Sequence, residues 1–155
     1  MYSNKLYTPL RYPGGKARFA PLIAEVITGN NLTGGHYLEP YAGGAGVALL
    51  LLMDGVVEHV HINDADPAIA GFWRVATQMP NQLVAMVASE PVTMDAWRHW
   101  RSVMLGQVSG SELERGFATL FMNRTNRSGI LKGGVIGGKE QAGSYKIDAR
   151  FMREE

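Results

Sequence analysis

Two acidic segments on either side of a glycine-rich turn are the candidates for chemistry in this 155-residue sequence. Glu39-Pro40 precedes the turn at 43–46, and Asp64 follows the last glycine by 18 residues. Glycines let the backbone approach a ligand, a following helix offers free N–H groups, and an acid after the next strand can hold ribose hydroxyls. The pattern therefore predicts a nucleoside-binding site.

The turn argues against a nicotinamide cofactor. A G-x-G-x-x-G fingerprint that includes Gly44 and Gly46 needs glycine at position 49, where the sequence has Leu49. Glu39 would also repel a pyrophosphate. The pattern instead suits S-adenosylmethionine, which carries a ribose, an ammonium group and a sulfonium but no phosphate. A strand-to-helix turn that merely needs small residues remains an alternative interpretation.

The elements that would position these residues form a βαβ-like unit. Apolar spacing predicts a strand, a buried helix, a second strand and a further helix, at 36–40, 47–53, 58–62 and 67–76. Asp66 is expected to cap the last of these helices, with Pro67 as its first residue. Other helices are predicted at 17–27, 80–89, 93–105 and 112–122, the last opened by a Ser111–Glu114 capping box. Six glycines between 124 and 146 predict a loop or flexible hairpin.

Charge is unevenly distributed along the chain. Residues 115–153 hold eight basic and two acidic side chains, a net charge of +6, whereas the remainder carries −5. A basic segment on a near-neutral protein fits a localised phosphate contact, although a solvated surface loop explains the charge alone equally well.

Composition excludes several classes of protein. The absence of cysteine rules out disulfide frameworks, Cys-ligated zinc, iron–sulfur clusters and thiol catalysis. No apolar run approaches the ~20 residues of a membrane span, and the first residues lack a signal-peptide layout. We therefore expect a cytoplasmic protein with no membrane partner.

Three stretches together resemble the DNA adenine methylase (Dam-like) family of N6-adenine DNA methyltransferases. Residues 11–16 are similar to the family's aromatic-x-Gly-Gly-Lys motif. Residues 39–46, joined by Asn63-Asp64, resemble its cofactor loop, and residues 120–129 resemble its Leu-Asn-Arg segment with the following turn. The family's aromatic residue before that turn is absent, so the recognition sequence cannot be carried over.

The resemblance implies S-adenosylmethionine as cofactor and double-stranded DNA as partner. The implied cofactor-binding residues are Tyr12, Lys16, Glu39, Pro40, Gly43, Gly44, Gly46 and Asp64. The implied DNA-binding residues are Asn123, Arg124, Asn126, Arg127 and Lys132. Arginine suits guanine and asparagine suits adenine, whereas lysine touches phosphates. Arg124 and Arg127 could alternatively complement the negative end of a helix.

The expected fold is α/β, a partial Rossmann-like S-adenosylmethionine-dependent methyltransferase with a helical DNA-recognition insert. Residues 1–78 would form the cofactor-binding core, 79–150 the recognition region with its basic loop, and 151–155 the start of the returning core.

The family's Asp-Pro-Pro-Tyr motif is missing from the sequence. It would accept hydrogen bonds from the adenine amine and stack on the extruded base. Asp66-Pro67 is the sequence's only Asp-Pro, and it suits a helix start. We therefore expect a fragment with no catalytic residue of its own, inactive alone and prone to self-association through an exposed sheet edge. A non-catalytic DNA-binding module is the alternative.

Overall fold

The computed structural model describes residues 7–151. The chain divides into two compact units, one ending at Ala65 and the other beginning at Asp66. Residues 1–6 of the predicted cofactor-binding core and most of the predicted returning core, 152–155, lie outside the described residues. The functional boundary predicted at 78/79 falls inside the second unit and stays a prediction.

The first unit contains the predicted βαβ arrangement. Strands β1 (His36–Glu39) and β2 (His59–Ile62) pair in parallel, with His36 opposite His59 and Glu39 opposite Ile62. Parallel strands cannot be joined by a tight turn, and the connection here runs through helix α2 (Gly46–Met53). A 3-10 turn at Ala17–Phe19 leads into helix α1 (Ala20–Gly29).

One face of this sheet packs against the helices. Tyr37 and Val60 point into an apolar cluster of buried residues formed by Ala20, Ala24, Val47, Leu50, Leu51, Val56 and Val57. Helix α2 is apolar on all sides and contributes four buried residues, as its sequence predicted. The core therefore fixes the ends of β1 and β2 relative to the start of α2, where the candidate site lies.

The second unit is helical in its described part. Its α-helices are α3 (Pro67–Gln78), α4 (Pro80–Ser89), α5 (Met94–Met104) and α6 (Glu112–Thr125), followed by a 3-10 turn at Arg127–Gly129. The predicted start signals are confirmed. The Asp66 side chain accepts from the Ala68 N–H at 2.9 Å, and Ser111 and Glu114 form a reciprocal capping box.

Helix α6 forms the centre of the second unit. Phe117, Phe121 and Met122 are fully buried, and the Trp100 ring meets Phe117 edge-on with centroids 4.8 Å apart. On α5, Trp97, Trp100 and Val103 are buried. Aromatic packing of this kind holds the C-terminal end of α6, where the basic loop begins.

The mixed helix and strand composition with a small parallel sheet is compatible with part of a methyltransferase fold. Within residues 7–151, no helix combines the length and hydrophobicity needed to cross a membrane.

A substitution at Gly116 would measure how closely α6 packs against Val75 of α3. A Cβ at this position would lie 2.6 Å from Val75 Cγ2, so Gly116→Ala should lower the free energy of unfolding by about 1–3 kcal/mol through overpacking. The matched control is Gly71→Ala within α3, where the nearest atom is an Arg74 guanidinium nitrogen at 4.0 Å. That variant should gain about 0.5–1 kcal/mol from helix propensity. Denaturant titration measures both, and equal effects would contradict the packing.

Candidate functional site

The predicted cofactor site has three segments, residues 12–16, 39–46 and 63–64, and they meet at the carboxyl ends of β1 and β2. The Asn63 N–H donates to the Glu39 carbonyl at 3.0 Å, and the Ala42 N–H donates to the Asn63 carbonyl at 2.9 Å. Beyond these backbone bonds, the Gly43 N–H donates to Asp64 Oδ2 at 2.8 Å. The end of β2 therefore holds the glycine turn in place.

The glycine turn is packed beneath the ring of Tyr12. Gly43 has a left-handed backbone (φ +49°), and a Cβ there would lie 2.8 Å from Tyr12 Cε1. A Cβ on Gly44 would lie 3.1 Å from Tyr12 Cβ, and one on Gly46 would lie 3.0 Å from Ala17 Cβ. Glycine is thus favoured at position 43 by backbone conformation and close approach, and at positions 44 and 46 by close approach.

Glu39 is a buried acid at the end of β1, and its side chain bonds to the start of α2. Its side chain is 5% exposed, and Oε2 accepts a hydrogen bond from the Ala48 N–H at 3.1 Å. Burial raises the pKa of Glu39 above its ordinary value, while the Ala48 N–H and the charge of Lys16 act in the opposite direction. A carboxylate held in this way favours a cationic neighbour, because a positive charge offsets the desolvation of the ionised form.

Lys16 lies on the other side of the same cavity. Its Nζ donates to the Tyr41 carbonyl at 3.2 Å. The cavity has a volume of about 240 Å³, and Lys16 and Glu39 are the charged residues that line it. Its remaining lining is apolar or aromatic: Phe19, Ile23, Tyr37, Leu38, Pro40, Tyr41 and Val47. The cavity surface is thus mostly apolar, with one cationic and one anionic residue among those that line it.

Asp64 and Pro40 occupy different positions around this cavity. Pro40 lines it, and the Asn63 side chain donates to the Pro40 carbonyl at 3.2 Å. Asp64 lies outside the cavity lining and is oriented through its bond to Gly43. The structure therefore brings all eight predicted cofactor residues into the first unit, while their binding of a cofactor stays a prediction.

Two of the predicted DNA-binding residues have buried side chains. Asn123 and Asn126 are 0% exposed. The Asn123 amide donates to the Gly129 carbonyl at 2.9 Å. Asn126 Oδ1 accepts from Trp97 Nε1 at 2.8 Å, and its Nδ2 donates to the carbonyls of Ile130 and Leu131. In this structure both side chains are buried and organise the following loop, and their contact with DNA stays a prediction.

The predicted cations have different exposures. Arg127 and Lys132 are exposed, whereas Arg124 is partly buried. The loop that contains Arg127 and Lys132 is closed by an antiparallel bridge between Asn126 and Val135. The predicted loop is confirmed, but a network of internal hydrogen bonds defines its backbone, and a freely flexible hairpin would lack such a network.

Sequence reasoning missed the part that helix α5 plays in this loop. Arg101 Nη1 donates to the Gly133 carbonyl at 3.1 Å, and its guanidinium carbon lies 5.2 Å from the Trp97 ring centre. The contact between Arg101 and Gly133 joins positions 32 residues apart, and no local signal in the sequence indicates it.

Glu39 gives the site a pH-dependent stability. A folded-state pKa above the unfolded value contributes stability that is fully present below the unfolded pKa, near 4.3, and is lost as the pH rises through the folded pKa. Glu39→Gln keeps an acceptor for Ala48 without the buried charge. Its free energy of unfolding, relative to that of the unmodified chain, should be higher at pH 7 than below pH ~4.

Chemical denaturation across this pH range measures the difference. Glu39→Ala is the control, because it removes the acceptor of the Ala48 N–H and should destabilise the unit throughout the range. A Glu39→Gln difference that is independent of pH would contradict the raised pKa.

Comparison with known proteins matches the first unit and part of the second. The family model of the D12 class N6 adenine-specific DNA methyltransferases matches residues 12–95, more than half of the chain. The match includes every predicted cofactor-binding position and none of the predicted DNA-binding positions. No curated protein shows significant similarity to the chain. The glycine turn and its flanking acids lie within this match. The chain belongs to the D12 class of N6 adenine-specific DNA methyltransferases.

Proposed function

We propose that the first unit binds S-adenosylmethionine as the methyl donor for site-specific adenine methylation in DNA. The observation that carries this proposal is the mostly apolar cavity at the end of β1, which Lys16 and Glu39 both line. The methionyl end of the cofactor carries a carboxylate and an ammonium group, which pair with these two side chains in that order.

The residues present fit this cofactor on two further grounds. The buried Glu39 carboxylate has a raised pKa, and a cofactor ammonium offsets the desolvation that raises it. At the turn, Gly43, Gly44 and Gly46 have no Cβ, and Tyr12 packs within contact distance of any Cβ on Gly43. Pyrophosphate cofactors are disfavoured because Glu39 lies beside the turn.

The described residues act by binding and orientation. The cofactor supplies an electrophilic methyl group on its sulfonium. Lys16 and Glu39 fix the methionyl end, and Asp64 holds Gly43 and accepts from the ribose hydroxyls. Phe19 and Tyr41, which also line the cavity, would contact the apolar part of the methionyl group. Alignment of this kind is a large contributor to transfer reactions, because it removes the orientational freedom of the reacting groups.

The second unit would supply the contact with double-stranded DNA. We propose that residues 79–150 act as the recognition region of a Rossmann-like methyltransferase and that the exposed Arg127 and Lys132 approach the duplex. The Asn123 and Asn126 side chains hold the backbone of the loop that contains these two cations. The chain contains no Asp-Pro-Pro-Tyr to polarise the adenine amine, and we expect no methyl transfer by this chain alone.

A DNA-binding module without transfer activity is the second candidate. The ordered basic loop favours it, because its contacts involve none of the cofactor residues. Duplex binding that persists after the cofactor site is destroyed, together with a chain that never binds S-adenosylmethionine, would favour the module.

The first test is calorimetric titration of the chain with S-adenosylmethionine. Asp64→Asn and Glu39→Gln each remove a charged hydrogen-bond acceptor, worth about 1.5–3 kcal/mol, and should weaken binding about tenfold or more. Asp54→Asn, at the C-terminal end of α2, is the matched control and should bind normally. Equal affinity in all four proteins would refute the assigned site.

The second test measures duplex binding as a function of salt concentration. Lys132→Ala should weaken binding to any DNA sequence and reduce the slope of log K against log salt by about 1, since a phosphate contact releases a counterion. Lys16→Ala removes the same charge from the cofactor site and should leave the slope unchanged. A common slope for all three proteins would show that Lys132 does not meet DNA.

A further inference from the structure

The loop that follows α6 has a fixed backbone and an exposed apolar residue, Ile130. The Ile130 N–H donates to the Arg127 carbonyl at 3.2 Å. Its carbonyl accepts from Asn126 Nδ2 at 3.0 Å and from the Gly133 N–H at 2.9 Å. The backbone of Ile130 is therefore held on both sides, whereas its side chain is 52% exposed.

Several residues contribute to holding Ile130 in this position. A Cβ on Gly133 would lie 2.9 Å from the Ile130 carbonyl oxygen, so the return of the loop requires glycine at this position. Ser128 and Gly129 precede Ile130 with left-handed backbones, at φ +55° and +73°. A non-glycine residue in that region is unfavourable unless its surroundings enforce it. The polar groups of the loop thus direct a branched apolar side chain to the surface.

Charge around Ile130 would bring this side chain to a polyanion. Arg127 lies three residues before it and Lys132 two residues after, both exposed. The sequence has no acidic residue between positions 115 and 139. A phosphate backbone attracted to the two cations would meet Ile130 between them.

We propose that Ile130 is a wedge that enters the base stack of duplex DNA and supports extrusion of the target adenine. This inference rests on the proposed function, because an enzyme that acts on a base in duplex DNA must take that base out of the stack. Proteins that unstack a base step insert apolar side chains such as isoleucine, while flanking cations contact the phosphates. Ile130 is in this account a positioning residue that does not touch the reacting atoms.

The test does not require knowledge of the recognition sequence. One fluorescently labelled duplex is prepared fully matched, and a second is identical except for one abasic site, where the energy of unstacking is already reduced. Anisotropy titration with the full chain should show the abasic duplex bound about tenfold more tightly, because the wedge fills the space left by the missing base.

Ile130→Ala should reduce this preference to less than about twofold while leaving affinity for the matched duplex and its salt dependence unchanged. Ile130→Leu should restore the preference. The matched control is Tyr145→Ala, which removes another exposed apolar side chain of the same unit and should keep it. Circular dichroism checks that each variant is folded.

Two outcomes would refute the wedge alone, and a third would also refute the proposed DNA contact. A preference that survives Ile130→Ala, or a wild-type chain without preference between duplexes that it does bind, refutes the wedge alone. A wild-type chain without salt-dependent affinity for either duplex refutes the wedge and the proposed DNA contact together.

Discussion

The candidate site depends on the burial of one carboxylate. Glu39 ends β1, is almost completely removed from solvent, and accepts the Ala48 N–H at the start of α2. Placing an acid there is unfavourable for the folded chain, since burial raises its pKa. In the proposed complex the cofactor ammonium would offset that penalty, so the residue that weakens the unit would also favour a cationic ligand. Stability and function are in opposition at this position.

The remaining parts of the site follow from the geometry around Glu39. The Asn63 N–H donates to the Glu39 carbonyl and so continues the pairing of the two strands beyond β2. The next residue, Asp64, then holds Gly43 through its side chain. The turn must pass beneath Tyr12, which leaves no space for a Cβ at Gly43. In the second unit a buried amide, Asn126, plays the corresponding part by accepting from Trp97 and fixing the loop at Ile130. A buried side chain thus places a surface loop in the second unit, whereas in the first unit the buried Glu39 side chain bonds to α2 and the half-buried Asp64 holds the turn.

Local signals in the sequence predicted the elements but not their contacts. The βαβ order, the Asp66 cap and the Ser111 capping box depend on neighbouring residues, and all three are confirmed. The direction of Asn123 and Asn126 depends on partners elsewhere, including Trp97 on another helix, and an Asn-rich basic segment is compatible with either exposure or burial. The contact of Arg101 with Gly133 could not be predicted for the same reason.

The most direct test of this account is the titration of the Glu39 carboxyl group by carbon NMR, with and without saturating S-adenosylmethionine. In the free chain the apparent pKa should lie above the ordinary value for glutamate, because burial raises it. With the cofactor bound, its ammonium group should lower that pKa. A Glu39 pKa that is the same in the free and the saturated protein would contradict the central claim that this carboxylate receives the cofactor.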